Sequence, residues 1–265
     1  MPSVAIKSMR EVGLLREAGQ LAAATLVEVD RFIRPGITTE AINTLVHEFT
    51  LRRGARPAPL NYRGYPKSTC TSRNEVVCHG IPNEHEVLEP GDIINVDVTS
   101  VLKKYHGDTS ATFYVGDPSP DAKHVVEVAR RSLQVGIEQV RDGARLGDIG
   151  AAIQEFAEAQ GCSVVRDFVG HGIGRKFHEE PQVAHYGRRN SGMRLKAGMV
   201  FTIEPMVNLG SHEVEVLDDD WTALTKDRSL SAQFEHTIVV TKRGCEILTK
   251  RPHALANSER FAINW

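Results

Sequence analysis

Four acidic residues of this chain lie in or beside apolar, strand-like segments, where an ionised side chain without a partner is unfavourable. They are Asp97, Asp108, Glu204 and Glu235, and their neighbours include the runs IINV, ATFYV, MVFTI and TIVV. Burying one unpaired carboxylate costs several kcal/mol or forces it to take up a proton. Four carboxylates in one core are tolerable only if cations neutralise them. The pattern predicts a metal centre, and therefore an enzyme.

Composition excludes several other classes of function. The chain has 265 residues and a formal net charge of -2, which gives no general attraction for nucleic acids or acidic membranes. No apolar run approaches the roughly 18 residues that span a bilayer, and the first residues lack the apolar core of a secretion signal. The four cysteines form no CxxC pair and no zinc spacing. We therefore expect a reduced, cytoplasmic protein that does not enter a membrane.

The periodicity of apolar residues predicts two helices followed by strands, twice over. The predicted helices cover about residues 9–34, 38–54, 121–140 and 147–161, with strands and loops over 62–115 and 164–248. Shifting the sequence by 107 positions places helix stops on helix stops and Asp97 on Glu204. By composition, on the order of ten identities would occur at any single shift. The evidence for a repeat is therefore that helix stops and strand-end acids align at the same shift, and not the number of identities.

This repeat predicts one catalytic domain over residues 1–265, with pseudo-symmetric halves of about 1–120 and 121–265 that share a core. Within the first half, Asp97 and Asp108 are symmetric about Leu102 and Lys103, which predicts a hairpin with the two carboxylates face to face. Their Cβ atoms would lie about 5 Å apart. The charges would repel by roughly 4 kcal/mol unless a dication lay between them. The alternative is a solvent-facing pair, which the flanking apolar residues disfavour.

Glu204 and Glu235 form a second acidic pair in the other half, with a longer connecting segment between them. That segment contains an aspartate run at 218–220, which we interpret as a solvated turn.

Two histidines follow the second helix pair, His171 between two glycines and His178 seven residues later. A histidine between glycines is typical of a turn, but flanking glycines also let the backbone approach a ligand. The first half offers His79 in a similar context. No third glycine completes a dinucleotide-binding pattern.

Four carboxylates and an imidazole suit Mn, Fe, Co or Zn in an open, catalytic coordination rather than structural zinc. Two bridging carboxylates would imply two metals about 3.5–4 Å apart, as in hydrolases that use a metal-bound hydroxide. From the residues alone, the prediction is a hydrolase with two divalent metal ions.

Several motifs resemble the type I methionine aminopeptidases over almost the whole chain. They are FVGHGIG at 168–174 with His178, His185 and Tyr186, NEVVCHGIP at 74–82, HGDT at 106–109 and FTIEP at 201–205. This resemblance implies the pita-bread fold, an α/β (α+β) architecture in which helices back a curved antiparallel sheet with pseudo-two-fold symmetry. It also implies two divalent metals (Co, Mn, Fe or Zn), with Asp97, Asp108, His171, Glu204 and Glu235 as ligands.

The resemblance also implies roles for individual residues. Asp108 and Glu235 would bridge the metals, and Glu204 would shuttle a proton. His178 would contact the scissile carbonyl and His79 the scissile amide nitrogen. The methionine pocket would be lined by Tyr62, Tyr65, Cys70, Phe177 and Trp221, since aromatic and sulfur-containing walls favour a thioether. Pro59 departs from relatives with cysteine at that wall. Taken singly, each aromatic residue is more often a core-packing residue, but together, and beside the metal motifs, they favour a pocket.

The function implied is removal of the initiator methionine from nascent polypeptides whose second residue is small. The alternatives are a proline-directed aminopeptidase or prolidase of the same fold, which usually has a further N-terminal domain, and a scaffold protein that has lost its metal ligands. We expect a monomer. A basic cluster at 52–56 either contacts the ribosome surface or is a solvated helix end. Met1 and Pro2 would make the chain a substrate of its own activity.

Overall fold

A computed structural model of the chain describes residues 4–251, so Met1 and Pro2 lie outside the described residues. Its four helices confirm the predicted positions: α1 (Met9–Phe32), α2 (Thr39–Arg52), α3 (Pro120–Glu138) and α4 (Leu146–Ala159). The start of α1 is fixed by its N-cap, because Ser8 Oγ accepts the Glu11 N–H and Glu11 Oε2 accepts the Ser8 N–H. Within residues 4–251, no helix is both long and apolar enough to cross a bilayer.

The strands are short except for one long hairpin. In chain order they are β1 (Arg56–Pro57), β2 (Cys70–Arg73), β3 (Val76–Cys78), β4 (Ile93–Leu102), β5 (Tyr105–Tyr114), β6 (Ser163–Val164), β7 (Gly170–Gly172), β8 (Glu179–Val183), β9 (Val200–Ile203), β10 (Met206–Asn208), β11 (Val214–Val216), β12 (Ala223–Thr225), β13 (Ser231–Gln233), β14 (His236–Val240) and β15 (Cys245–Ile247). Together with the helices they confirm the predicted α/β class.

Every strand pairing in this part of the chain is antiparallel. In the first half, β4 pairs with β5 along its full length and also with β1 and β2. In the second half, a five-stranded sheet has the order β15-β14-β9-β7-β8. The largest apolar core joins the helices to both sheets through residues such as Leu26, Ile42, Phe113, Ile149 and Phe201.

The two halves correspond at the predicted shift of 107 residues. Helix α4 begins and ends 107 positions after α2. Two isolated antiparallel bridges, Thr38 with Val87 and Arg145 with Arg194, keep the same separation. These matches support the pseudo-symmetric single domain, which remains our proposal.

The register of the β4–β5 hairpin differs from the prediction. Leu102 pairs with Tyr105, so the turn is Lys103-Lys104 and lies one residue further along the chain. Both lysines have positive φ, at 49° and 71°, as a two-residue hairpin turn of type I′ requires. Asp97 therefore pairs with Ser110 instead of facing Asp108. The two carboxylates share one face as diagonal neighbours.

Helix α1 lies unusually close to β5 beside the first acidic pair. A Cβ atom on Gly107 would lie 2.2 Å from the Gly19 nitrogen and 2.3 Å from the Ala18 carbonyl carbon. Real Cβ atoms do not approach backbone atoms this closely, so only glycine permits the contact. Asp108 is the next residue in the chain, so this packing also fixes the backbone position of that candidate ligand.

We expect Gly107→Ala to destabilise the protein by about 3 kcal/mol, since helix and strand must separate to admit the methyl group. Gly13→Ala is the matched control: Gly13 lies in α1 itself, and a methyl group added there would meet nothing within 4 Å. Alanine there should stabilise by up to about 1 kcal/mol. Urea unfolding of both variants measures the difference, and equal stabilities would contradict the close contact.

Candidate active site

All twelve residues singled out as candidate site residues line one cavity of about 310 Å³. They are Tyr62, Tyr65, Cys70, His79, Asp97, Asp108, His171, Phe177, His178, Glu204, Trp221 and Glu235. Residues on both sides of position 120 line it, which fits a cavity between the two proposed halves. Each residue's role remains a prediction, but the structure brings the whole set together.

Three carboxylates form a compact group at the floor of this cavity. Asp97 on β4, Asp108 on β5 and Glu235 before β14 each place one oxygen within 4.8 Å of the others. The Oδ1 atom of Asp97 and the Oε1 atom of Glu235 are buried without a hydrogen-bond partner. Buried oxygens are rarely left unpaired. Oxygens that converge in this way fit a bound cation.

His171 and Glu204 complete the set on the other side of Asp108. His171 Nε2 lies 3.6 Å from Asp108 Oδ2 and 3.7 Å from Glu204 Oε1. The other ring nitrogen, Nδ1, lies 3.0 Å from the Gly172 carbonyl oxygen, which can only accept, so Nδ1 carries the hydrogen. The lone pair of Nε2 is then directed at the acids. This is the tautomer that binds a metal.

Burial makes the negative charges of this cluster costly. It raises the pKa of Asp97 to about 7 and that of Glu204 to about 8. Burial, followed by repulsion from neighbouring carboxylates, raises the pKa of Asp108 and of Glu235 well above the usual range. Burial also lowers the pKa of His171 to about 4, which keeps the imidazole neutral. A divalent cation would stabilise the ionised acids and use the neutral imidazole as a ligand.

Two threonine hydroxyls orient the candidate ligands. Thr99 Oγ1 donates to Asp108 Oδ1 at 2.6 Å, and Thr202 Oγ1 donates to Glu204 Oε1 at 2.6 Å. In addition, the Glu204 N–H donates to His185 Nε2 at 3.1 Å. No role was predicted for these three residues from the sequence. Only Thr202 had a signal in its spacing, since it lies two residues from Glu204 on the same strand face.

The glycines around His171 neither form a turn nor make room for a ligand. His171 lies in β7, between β8 and β9, so it is not a turn residue. A Cβ atom on Gly170 would lie 2.4 Å from the Thr202 carbonyl oxygen, and one on Gly172 would lie 2.1 Å from the Glu180 carbonyl oxygen. The glycines therefore make room for the backbones of neighbouring strands, which fixes His171 in the sheet.

His178 and His79 line the same cavity as the acids. His178 Nδ1 is 2.9 Å from the Tyr62 hydroxyl oxygen, and the His178 ring centroid is 4.1 Å from that of His171. Partial desolvation in the cavity, assisted by the neighbouring histidine rings and Arg63, lowers the pKa of His178 to about 3, and burial lowers that of His79 to about 4. Both rings are therefore neutral near pH 7. His79 has a φ of 58°, a backbone conformation uncommon for a residue with a side chain.

Aromatic rings form the wall of the cavity. Tyr62 and Phe177 have centroids 4.9 Å apart, and Tyr65 meets Trp221 edge-on at 5.1 Å. The aspartate run next to Trp221 is exposed, which confirms the solvated turn. Asp219 accepts the backbone N–H of Trp221 and so fixes this side of the wall. Further lining residues were not predicted from the sequence, among them Cys78, Phe168, Met206 and Gln233.

The fold and the acidic cluster define a metal-dependent peptidase class. A family model described as Metallopeptidase family M24 matches residues 13–242, and the chain belongs to this family. Methionine aminopeptidase A of Synechocystis sp. is 58% identical over 247 residues, which are 93% of this chain and 98% of that protein. The crystal structure of methionine aminopeptidase from Rickettsia prowazekii is 51% identical, with a TM-score of 0.92 over 94% of this chain and all of that one. The predicted resemblance and the pita-bread fold are confirmed.

The alternative class is more distant. Xaa-Pro dipeptidase from Bacillus anthracis is 25% identical with a TM-score of 0.76, and the match covers 93% of this chain but 62% of the dipeptidase. The dipeptidase therefore shares the architecture of this chain at low identity. The comparison does not favour a proline-directed peptidase.

Proposed function

We propose that this protein removes the initiator methionine from nascent polypeptides whose second residue is small. The observation that supports the proposal most strongly is the convergence of five candidate ligands and an aromatic wall on one cavity. Relatives at 50–58% identity, each matched over 90% or more of its length, are methionine aminopeptidases. A methionine side chain suits the wall formed by Tyr62, Tyr65, Phe177 and Trp221, because thioethers pack well against aromatic rings.

We propose that two divalent ions, of Co, Mn, Fe or Zn, are held by Asp97, Asp108, His171, Glu204 and Glu235. Asp108 would be central to holding them, because it belongs to the group of three carboxylates and also lies 3.6 Å from His171. Glu235, a member of the same group, would hold them together with Asp108. When bound, such ions lower the pKa of the attacking water and polarise the scissile carbonyl. An oxygen-rich set with one imidazole binds any of these four metals.

Glu204 is assigned as the proton carrier. Its carboxylate accepts a hydrogen bond from Thr202 through Oε1, which leaves Oε2 to take a proton from the attacking water and pass it to the leaving amine. Its main-chain N–H is held by His185. Both contacts reduce the freedom of the carboxylate, so its orientation is set before substrate binds.

His178 and His79 are assigned to the peptide itself. If the Tyr62 hydroxyl donates to His178 Nδ1, then Nε2 of the neutral ring carries the hydrogen and can donate to the scissile carbonyl oxygen. His79 lies between the rings of Phe168 and Trp221. From there we assign it to the scissile amide nitrogen, where it would assist departure of the amine.

The direct test is release of free methionine from the tripeptide Met-Ala-Ser. Chelator-treated protein should be inactive, and added Co²⁺ or Mn²⁺ should restore turnover, since the buried acids need a cation to act together. An Ala-Pro dipeptide in the same assay tests the alternative class. Failure to release methionine with any of the four metals would refute the proposal, and cleavage of Ala-Pro alone would favour a prolidase.

We expect His178→Ala to lower kcat for Met-Ala-Ser about a hundredfold, the scale of a lost oxyanion donor. Metal content should stay unchanged, because the His178 ring contacts Tyr62 and Phe177 and is not one of the five assigned ligands. Elemental analysis beside steady-state kinetics measures both effects. A variant that loses its metal would reassign His178 as a ligand.

The remaining partner proposals concern the cellular setting. We propose a cytoplasmic monomer that acts on polypeptides as they leave the ribosome. In the basic cluster, Arg52 pairs with Glu48 at 3.2 Å, and the Arg53 guanidinium lies 3.8 Å from the centroid of the Phe49 ring. These contacts within the helix favour a solvated helix end over a ribosome-binding surface.

A further inference from the structure

The segment before α1 contacts the loop that carries two of the assigned site residues. Lys7 Nζ lies 2.5 Å from Glu179 Oε2, and the two side chains are only 8% and 17% exposed. Glu179 follows Phe177 and His178 directly in the chain. An ion pair between residues 172 positions apart therefore ties the start of the described chain to the loop over the active site.

Both partners of this ion pair are fixed by further contacts. The Lys7 backbone N–H donates to the Gly198 carbonyl oxygen at 2.8 Å. The second carboxylate oxygen of Glu179, Oε1, accepts the backbone N–H of Lys176 at 3.1 Å. A Cβ atom on Gly174 would lie 2.4 Å from Lys7 Nζ, so the loop closes tightly over the pair. Little room remains for either side chain to move.

The other end of the loop is attached to the long hairpin. The His106 backbone N–H donates to the Gly174 carbonyl oxygen at 3.0 Å, and the His106 ring stacks on Phe177 with centroids 5.7 Å apart. Arg175 Nε donates to the Tyr105 hydroxyl oxygen at 3.0 Å. His178 thus lies between an attachment to β5 at residues 174–175 and an attachment to Lys7 at residue 179.

A buried ion pair is a poor way to gain stability alone, because desolvation of both charges offsets most of their attraction. The ion pair does fix the orientation of the Glu179 side chain, since a 2.5 Å contact between charged atoms allows one geometry while an apolar contact allows many. Catalytic groups lose rate steeply when displaced, and an error of 1 Å can cost about a hundredfold. An ion pair adjacent to His178 in sequence fits a requirement for position.

We propose that Lys7 is a positioning residue for catalysis, which acts through Glu179 to hold His178 over the scissile carbonyl. The inference rests on the role proposed for His178. In the absence of Lys7, the Glu179 backbone would still pair with Gly172 between β7 and β8, but the Glu179 side chain would lose the contact that fixes this end of the loop beside the imidazole.

The test is a double-mutant cycle on the full-length, metal-loaded protein. We expect Lys7→Met to lower kcat for Met-Ala-Ser roughly tenfold, with KM and metal content unchanged. In a His178→Ala background the same change should have no further effect on kcat, because there is no imidazole left to position. The matched control is Lys123→Met, which removes a surface pair of 2.8 Å with Asp117, and its kcat should equal the wild type.

If Lys7→Met does not fold, Glu179→Gln replaces it in the same cycle, since glutamine keeps the shape and loses the charge. Effects that multiply in the double variant, or a change confined to KM or metal content, would overturn the proposal. A wild-type protein that releases no methionine would instead defeat the proposed function. The two failures are therefore distinguishable.

Discussion

The Glu204→Ala variant is expected to release methionine from Met-Ala-Ser at least about a hundredfold more slowly than the wild type, the scale of a lost acid–base group. Two features of the structure support this expectation. The carboxylate is oriented by Thr202 at 2.6 Å, and its backbone is held by His185.

The measurement needs kcat and metal content together, because Glu204 is also an assigned ligand. Glu213→Ala is a suitable control, since Glu213 forms an exposed pair with Lys226 at 3.6 Å. Its turnover should match the wild type. Near-normal turnover of Glu204→Ala would mean that the FTIEP motif has been misassigned. A full loss of metal would show ligation as the dominant role.

The helices were predictable because their end signals are local. Ser8 and Glu11 define the start of α1, and the bounds of α2 and α4 followed from apolar spacing and glycine stops. The acidic residues were predictable for a different reason. A carboxylate among apolar residues conflicts with its surroundings in any fold, and the conflict is visible without coordinates.

The hairpin register was not predictable from symmetry. The turn residues are Lys103 and Lys104, which lack the Asn-Gly or Asp-Gly signature of a type I′ turn, although both take positive φ. A shift of one residue in the turn moved the partner of Asp97 by two positions. Because a shift by two preserves the face of the strand, both acids still point into the site.

Contacts between segments distant in the chain could also not be predicted from the sequence. The hydroxyl of Thr99 binds Asp108 across the hairpin, and Lys7 binds Glu179 across 172 positions. A threonine or a lysine is common on many surfaces, so neither residue type indicates its partner. The positions of Gly170 and Gly172 suggested ligand approach, whereas the neighbouring strand backbones explain them.

The Asp108→Asn variant is expected to separate the stability of the fold from the activity of the site. Asp108 is buried beside Asp97 and Glu204, so its ionised form is repelled by like charges. Asparagine keeps the shape, can still accept the Thr99 hydroxyl hydrogen bond and, unlike aspartate, is neutral without taking up a proton. The metal-free variant should be more stable by about 1 kcal/mol, which raises Tm by about 2–4 °C.

The same substitution should abolish function. Without the Asp108 carboxylate, added Mn²⁺ should no longer raise Tm, although it should do so in the wild type. Turnover of Met-Ala-Ser should fall about a thousandfold or more, since metal catalysis supplies several kcal/mol of the barrier reduction. Differential scanning fluorimetry with and without Mn²⁺, beside the kinetic assay, measures all three effects. Asp117→Asn is the surface control and should change none of them.

Two results would contradict the assignment: a metal-dependent rise in Tm that survives in Asp108→Asn, or a metal-free variant less stable than the metal-free wild type. The first would remove Asp108 from the ligand set, and the second would mean that its charge is already compensated within the protein.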